Sequence, residues 1–177
     1  DYAKELGRED SFKPTQVGVF FGKPGVEVPD PFFGGEGPAR IGCTQKGHCM
    51  VGCNDGGKNT LDRNYLYLAE KKGAQIFPDT TVTDVIPLSS GGYEVLSRRT
   101  SGFFSHPRKT WTTRGVVLAA GALGTNSLLL SCKDKKHLPR LSSRLGCMVR
   151  TNSEVLNGVT ANKKDVDFSK GIAITSI

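Results

Sequence analysis

Several things are scarce in this 177-residue sequence, and each scarcity removes a class of protein. It has one tryptophan, two methionines and three histidines. No apolar run approaches the roughly 20 residues that a membrane-spanning helix needs. No basic-then-apolar leader follows the opening Asp1-Tyr2-Ala3, so no secretion signal is expected in these residues. His48, His106 and His137 are scattered, without an HExxH, a Ser/His/Asp order or a carboxylate pair, so hydrolase chemistry has no support. His106 and His137 are expected in exposed loops, and Trp111 is expected to serve packing. The five cysteines are odd in number and contain no two-residue gap, which disfavours both a secreted disulfide framework and a zinc site. A reducing, cytoplasmic setting is the easier expectation.

What is plentiful is glycine, 22 residues with 9 prolines, in a chain that is 37% hydrophobic and 23% charged. That composition is globular and loop-rich, and it excludes collagen, coiled coil and wholesale disorder. The net charge of +7 is uneven: Val95 to Arg150 carries eleven basic residues and a single acid, Asp134. Such a stretch can attract phosphates or an anionic membrane, which allows a peripheral membrane contact, or it can be a solvated face. No zinc-finger or aromatic-interleaved pattern accompanies it, so no nucleic-acid partner is expected.

Along the chain, Thr15–Gly22 (TQVGVFFG) has strand composition, and the Pro-Gly turns that follow break any regular element up to about residue 58. Thr60–Lys72 spaces Leu61, Tyr65, Leu68 and Ala69 along one helical face. Asn59 or Thr60 is placed to cap its start, and Gly73 to close its end. Ala74–Phe77 reads as a short strand. Val82–Pro87, Gly92–Arg99 and Lys109–Thr113 then read as a meander, with Ser89-Ser90-Gly91-Gly92 at the first turn and Ser101–Pro107 as a longer connection. Gly115–Ala120 (GVVLAA) has the continuous apolar character of a strand buried on both faces. Gly121 ends it, and a helix follows over Thr125–Cys132. A parallel crossover normally carries a helix. Here a three-stranded meander takes its place.

Two stretches are candidates for chemistry. Ala120-Gly121, at the end of the apolar run, permits close approach of a ligand to the main chain, although such glycine patterns also serve plain packing. Cys43, Cys49 and Cys53 follow a Cys-x5-Cys-x3-Cys spacing: small buried residues in a glycine turn, or three thiolates for an iron–sulfur cluster. Gly56-Gly57-Lys58-Asn59-Thr60 imitates the end of a phosphate loop, but no convincing strand precedes it.

Taken in order, DPFFGGEGPARIGCTQKGHCMVGC, GGKNTLDRNYLYLAEKKGAQIFPDTTVTDVIPL, GVVLAAGALGTNSLLL and LPRLSSRLGCMVRTNSE resemble the glucose–methanol–choline (GMC) family of FAD-dependent oxidoreductases, in the branch that holds the bacterial cholesterol oxidases. The resemblance implies an α/β fold: part of an FAD-binding, Rossmann-like domain with a three-stranded meander crossover, joined to a loop-rich segment of the substrate domain. On that basis 1–57 belongs to the substrate or cap region, 58–150 to a partial FAD-binding domain, and 151–177 to the next substrate-domain segment. Val82 takes the position whose main chain meets the adenine, and Ala120 and Gly121 the strand end against the dinucleotide. The family's G-x-G-x-x-G, its C-terminal catalytic pair and the isomerising carboxylate of the cholesterol oxidases do not occur in these residues. The expectation is therefore an internal part of an enzyme, without catalytic residues of its own, inactive alone. The resemblance implies FAD as cofactor, no metal, and an alcohol substrate, with a sterol foremost. The alternative is an electron-transfer subunit of a sugar-type dehydrogenase, with Cys43, Cys49 and Cys53 as iron–sulfur ligands.

Overall fold

A computed structural model describes residues 2–102, 105–155, 157–158, 160–163, 165–167 and 169–173. Part of the connection expected over Ser101–Pro107, and part of 151–177, lies outside these. By internal contacts the chain forms two compact units: Asp1–Ile76 with Val159–Ile177, and Phe77–Gly158. The contact boundary thus falls after Ile76, beyond the helix expected to open the second domain.

The first unit is built of loops. After a single turn of helix, α1 (Tyr2–Glu5), the only ladder among its described residues pairs β1 (Glu27–Val28) antiparallel with β2 (Arg40–Ile41). Thr15–Gly22 does not form the expected strand. It contributes an isolated bridge from Val19 to Lys58 and the exchange Phe20 N–H to Gly57 O and Cys43 N–H to Phe20 O, at 2.8 and 2.9 Å. The chain crosses itself so closely that a Cβ on Gly42 would overlap the Lys23 carbonyl, reaching 2.6 Å from its carbon.

Two polar side chains organise the Pro-Gly segment in place of an apolar core. The Asp30 carboxylate accepts the backbone N–H groups of Phe32, Phe33, Gly35 and Gly37 at 2.9–3.1 Å. Burial pushes its pKa up, but these four donors prevail and hold it below the ordinary value. Arg40 is 0% exposed. Its Nη2 donates to Asn59 Oδ1 at 2.7 Å and to the Arg63 carbonyl, and its guanidinium lies 5.4 Å from the Phe32 ring centre.

The helix expected over Thr60–Lys72 is split. A 3₁₀ turn, Leu61–Arg63, precedes α2 (Tyr65–Lys71). The cap is Asn64, whose side chain accepts from Tyr65 N–H, and not Asn59 or Thr60. Gly73 closes the end at φ +94°, as expected. The anticipated apolar face is only partly used: Leu68 and Ala69 are half-buried, whereas Leu61 and Tyr65 are exposed.

The second unit is the meander: β3 (Thr80–Pro87), β4 (Tyr93–Arg99) and β5 (Arg108–Thr113), antiparallel in sequence order. The turn requires its glycines. Gly91 and Gly92 have φ of +91° and +83°, and a Cβ on Gly92 would stand 2.5 Å from Thr113 O. A register shift between Val82 and Asp84 moves one residue out of step in β3. Trp111 packs as expected, 4.4 Å from Phe77 between ring centres, and its Nε1 donates to buried Ser97 Oγ at 3.0 Å.

α3 (Gly121–Asp134) packs on β3. It begins at Gly121, four residues earlier than expected, because the left-handed φ of +70° there turns the chain straight into the helix. Thr125, Leu128 and Cys132 recur at i, i+3 and i+7 on its covered side. Among the described residues only Val85 and Cys132 are fully buried apolar side chains.

Two further expected strands do not form. Ala74–Phe77 and Gly115–Ala120 make no ladder, and Val117 is 91% exposed. A strand exists only through its neighbour's backbone groups, and among the described residues none stands beside either segment.

Candidate functional site

The three positions expected to line a dinucleotide fall on one packed strand–helix pair. Val82 sits where the register of β3 shifts, paired with Ser97 and 38% exposed. Ala120 is the N-cap residue of α3 and Gly121 its first helical residue. No side chain caps this end and no acid occupies the first turn. The Ala120 N–H is taken by Thr125 Oγ1 at 3.1 Å. The first N–H groups of an α-helix have no partner within the helix, so an uncapped start favours an anion. A Cβ built on Gly121 would meet nothing within 4 Å, which leaves the corner open.

The far end of α3 is anchored. Lys135 Nζ donates to Asp84 Oδ1 at 2.7 Å, and His137 Nδ1 lies 3.1 Å from the same oxygen. Asp84 is buried, and burial alone would push its pKa up. The Lys135 ammonium, the Thr83 hydroxyl and His137 outweigh that and hold it below 3.8. His137 is thus half-buried and paired, not in an exposed loop; His106 is exposed, as expected, with Nδ1 3.0 Å from Arg99 O. Fourteen helical residues span about 21 Å. Val82 stands two residues before the anchor on β3, while Ala120 and Gly121 occupy the opposite helix end.

In the first unit, Cys43, Cys49 and Cys53 line one cavity of about 160 Å³ with His48 and Asp55. All three thiols are free and half-buried. Cys43 Sγ accepts the Gln45 N–H at 3.4 Å; Cys53 is surrounded by more such donors. Its Sγ accepts the Lys58 N–H at 3.5 Å. Burial pushes the thiol pKa up, but the backbone N–H groups of Lys58, Asp55, Gly56 and Gly57 together draw it below the ordinary value. Sharing a cavity does not make the three a ligand set: among the described residues no three His, Cys, Asp or Glu side chains are grouped to hold a metal ion. A second cavity, about 520 Å³, is walled by Val17, Val19, Met50 and Ile172, with Thr15, Gln16, Lys58 and Asn59 as its polar members.

Sequence patterns did not disclose Asp84, Lys135, His137 or Arg40. The signals that existed were weak: an acid inside an apolar strand, and a Lys-Lys-His run after a helix.

These elements coincide with a known family. Residues 39–147 match the GMC oxidoreductase family, which spans the β2 segment, the cysteine cavity, the meander and α3. The chain belongs to that family, and its matched region is the FAD-binding, Rossmann-like part, here with an antiparallel meander. It is 49% identical, over a 183-residue alignment covering 99% of its length, to a cholesterol oxidase of Mycobacterium tuberculosis. It is 48% identical, over 180 residues and 97% of its length, to a cholesterol oxidase of Acinetobacter baumannii. The chain spans 32% of the length of either relative.

Proposed function

We propose that this chain is part of an FAD-dependent oxidoreductase that oxidises the CH–OH group of an alcohol, with a sterol as substrate. The observation that carries the reading is the 49% identity, sustained along nearly the whole chain, to proteins named cholesterol oxidase. Two local features support assigning a dinucleotide to this region. The Val82 main chain, at a register shift on the edge strand β3, is the part we assign to the adenine. Ala120 and Gly121 open an uncapped helix start whose free N–H groups suit an anionic portion. When bound, the flavin supplies the redox chemistry by accepting hydride from the alcohol carbon. The residues of this chain bind and orient; the groups that move the alcohol proton are assigned to other parts of the enzyme.

Flavin content tests this. The 177-residue chain, mixed with FAD and desalted, is expected to retain no stoichiometric flavin absorbance and to oxidise no sterol. The same chain, produced together with the coding sequence that flanks it, is expected to carry flavin. A stoichiometric, active flavin complex of the chain alone overturns the reading that it is a part. Absence of flavin from the longer product overturns the flavin assignment.

A further inference from the structure

The meander places arginine opposite arginine. In the β4–β5 register Arg98 pairs with Arg108, and antiparallel partners point to the same face with Cα atoms roughly 4.5–5.5 Å apart. Like charges in that relation repel, and natural sheets usually set an acid there. None is present. Among the described residues neither arginine has a carboxylate within 4.0 Å.

The two arginines edge a hollow of about 680 Å³, with Lys135 on its rim and Thr110, two residues after Arg108 on the same face, on its wall. The hollow has one acid, Asp84, whose Oδ1 is already held by both Lys135 and His137. The positive charge of the arginine pair therefore has no internal neutraliser. A guanidinium presents planar paired donors that match two oxygens of a tetrahedral oxyanion, and two facing guanidiniums match a dianion. The volume leaves space for an organic group beyond the anion.

We propose that the hollow edged by Arg98, Arg108 and Lys135 is a binding site for a phosphomonoester group. Its residues lie on β3, β4, β5 and the segment after α3; it borders Val82 through Thr83 and Ser97, but none of its residues is among the dinucleotide-lining positions. A soluble phosphate ester and the headgroup of an anionic phospholipid offer the same chemistry, and the experiment separates them.

Thermal unfolding of the 177-residue chain, followed by the fluorescence of its only tryptophan, Trp111, is measured in inorganic phosphate and in sodium chloride of equal ionic strength. Phosphate at ten times its dissociation constant is expected to raise the folded-to-unfolded ratio roughly tenfold over chloride. The double variant Arg98→Gln/Arg108→Gln is expected to lose that gain while unfolding no earlier than the parent in chloride, because the repulsion is also removed. Equal effects of phosphate and chloride on the parent chain, or an equal phosphate gain in the variant, overturn the proposal. Isothermal titration with glycerol 3-phosphate, and co-sedimentation with phosphatidylcholine vesicles with and without phosphatidic acid, then identify the source. Arginine-dependent titration without sedimentation assigns a soluble ester, arginine-dependent sedimentation only with phosphatidic acid assigns a lipid headgroup, and neither overturns the site.

Discussion

Replacing Asp84 with alanine tests the anchor that joins α3 to β3. The carboxylate is buried and accepts two donors on one oxygen, Lys135 at 2.7 Å and His137 at 3.1 Å. A hydrogen bond to a charged group contributes about 1.5–3 kcal/mol. The Lys135 side chain is nearly half exposed, so solvent screening reduces its share. The two contacts together are expected to contribute about 2 kcal/mol. At about 2–4 °C per kcal/mol for a chain of this length, Asp84→Ala lowers Tm by roughly 4–8 °C, read from the fluorescence of Trp111 in the same sheet. The pH dependence adds a second check. The folded-state pKa of Asp84 is held below 3.8, so its stabilisation is fully present above that value and is lost as pH falls through the lower folded one. The gap between parent and variant should close as the solution becomes more acid than about pH 4, since an unfolded Asp titrates near 3.9. A variant within about 0.5 kcal/mol of the parent, the usual range for surface changes away from such features, or a gap that persists in strong acid, refutes the argument.

Two further predictions concern the loop-built unit. Gly42→Ala sets a Cβ into the Lys23 carbonyl, where backbone and not a flexible side chain must yield, and is expected to cost about 3 kcal/mol, the upper end for overpacking. Faster hydrogen exchange at the Gly25 and Cys43 amides, which bond across this crossing, would register it, and unchanged protection would contradict it. Of the three thiols in the shared cavity, Cys53 is expected to react first with iodoacetamide at neutral pH, because backbone N–H groups stabilise its thiolate. Peptide mass spectrometry after partial labelling decides this, and prior labelling of Cys43 or Cys49 would contradict it.

Local pattern was sufficient for whatever depends on neighbours in sequence. The three meander strands, the Gly91-Gly92 turn and the Gly73 stop could all be read directly, since β-branched alternation and left-handed glycines act within a few residues. The family likeness could be read too, because it rests on ordered motifs and not on contacts. Pattern misled at Thr15–Gly22, Ala74–Phe77 and Gly115–Ala120. There composition describes a strand, but a strand needs a second backbone beside it, and composition cannot supply one. Only the tertiary structure decided the rest. It brought Lys135 and His137 onto Asp84 across more than fifty residues, set Arg98 against Arg108, and closed Arg40 into a polar interior that no apolar periodicity announces. Those pairings follow from register and chain crossing, where the balance of burial against charge is settled between residues that share no local signal.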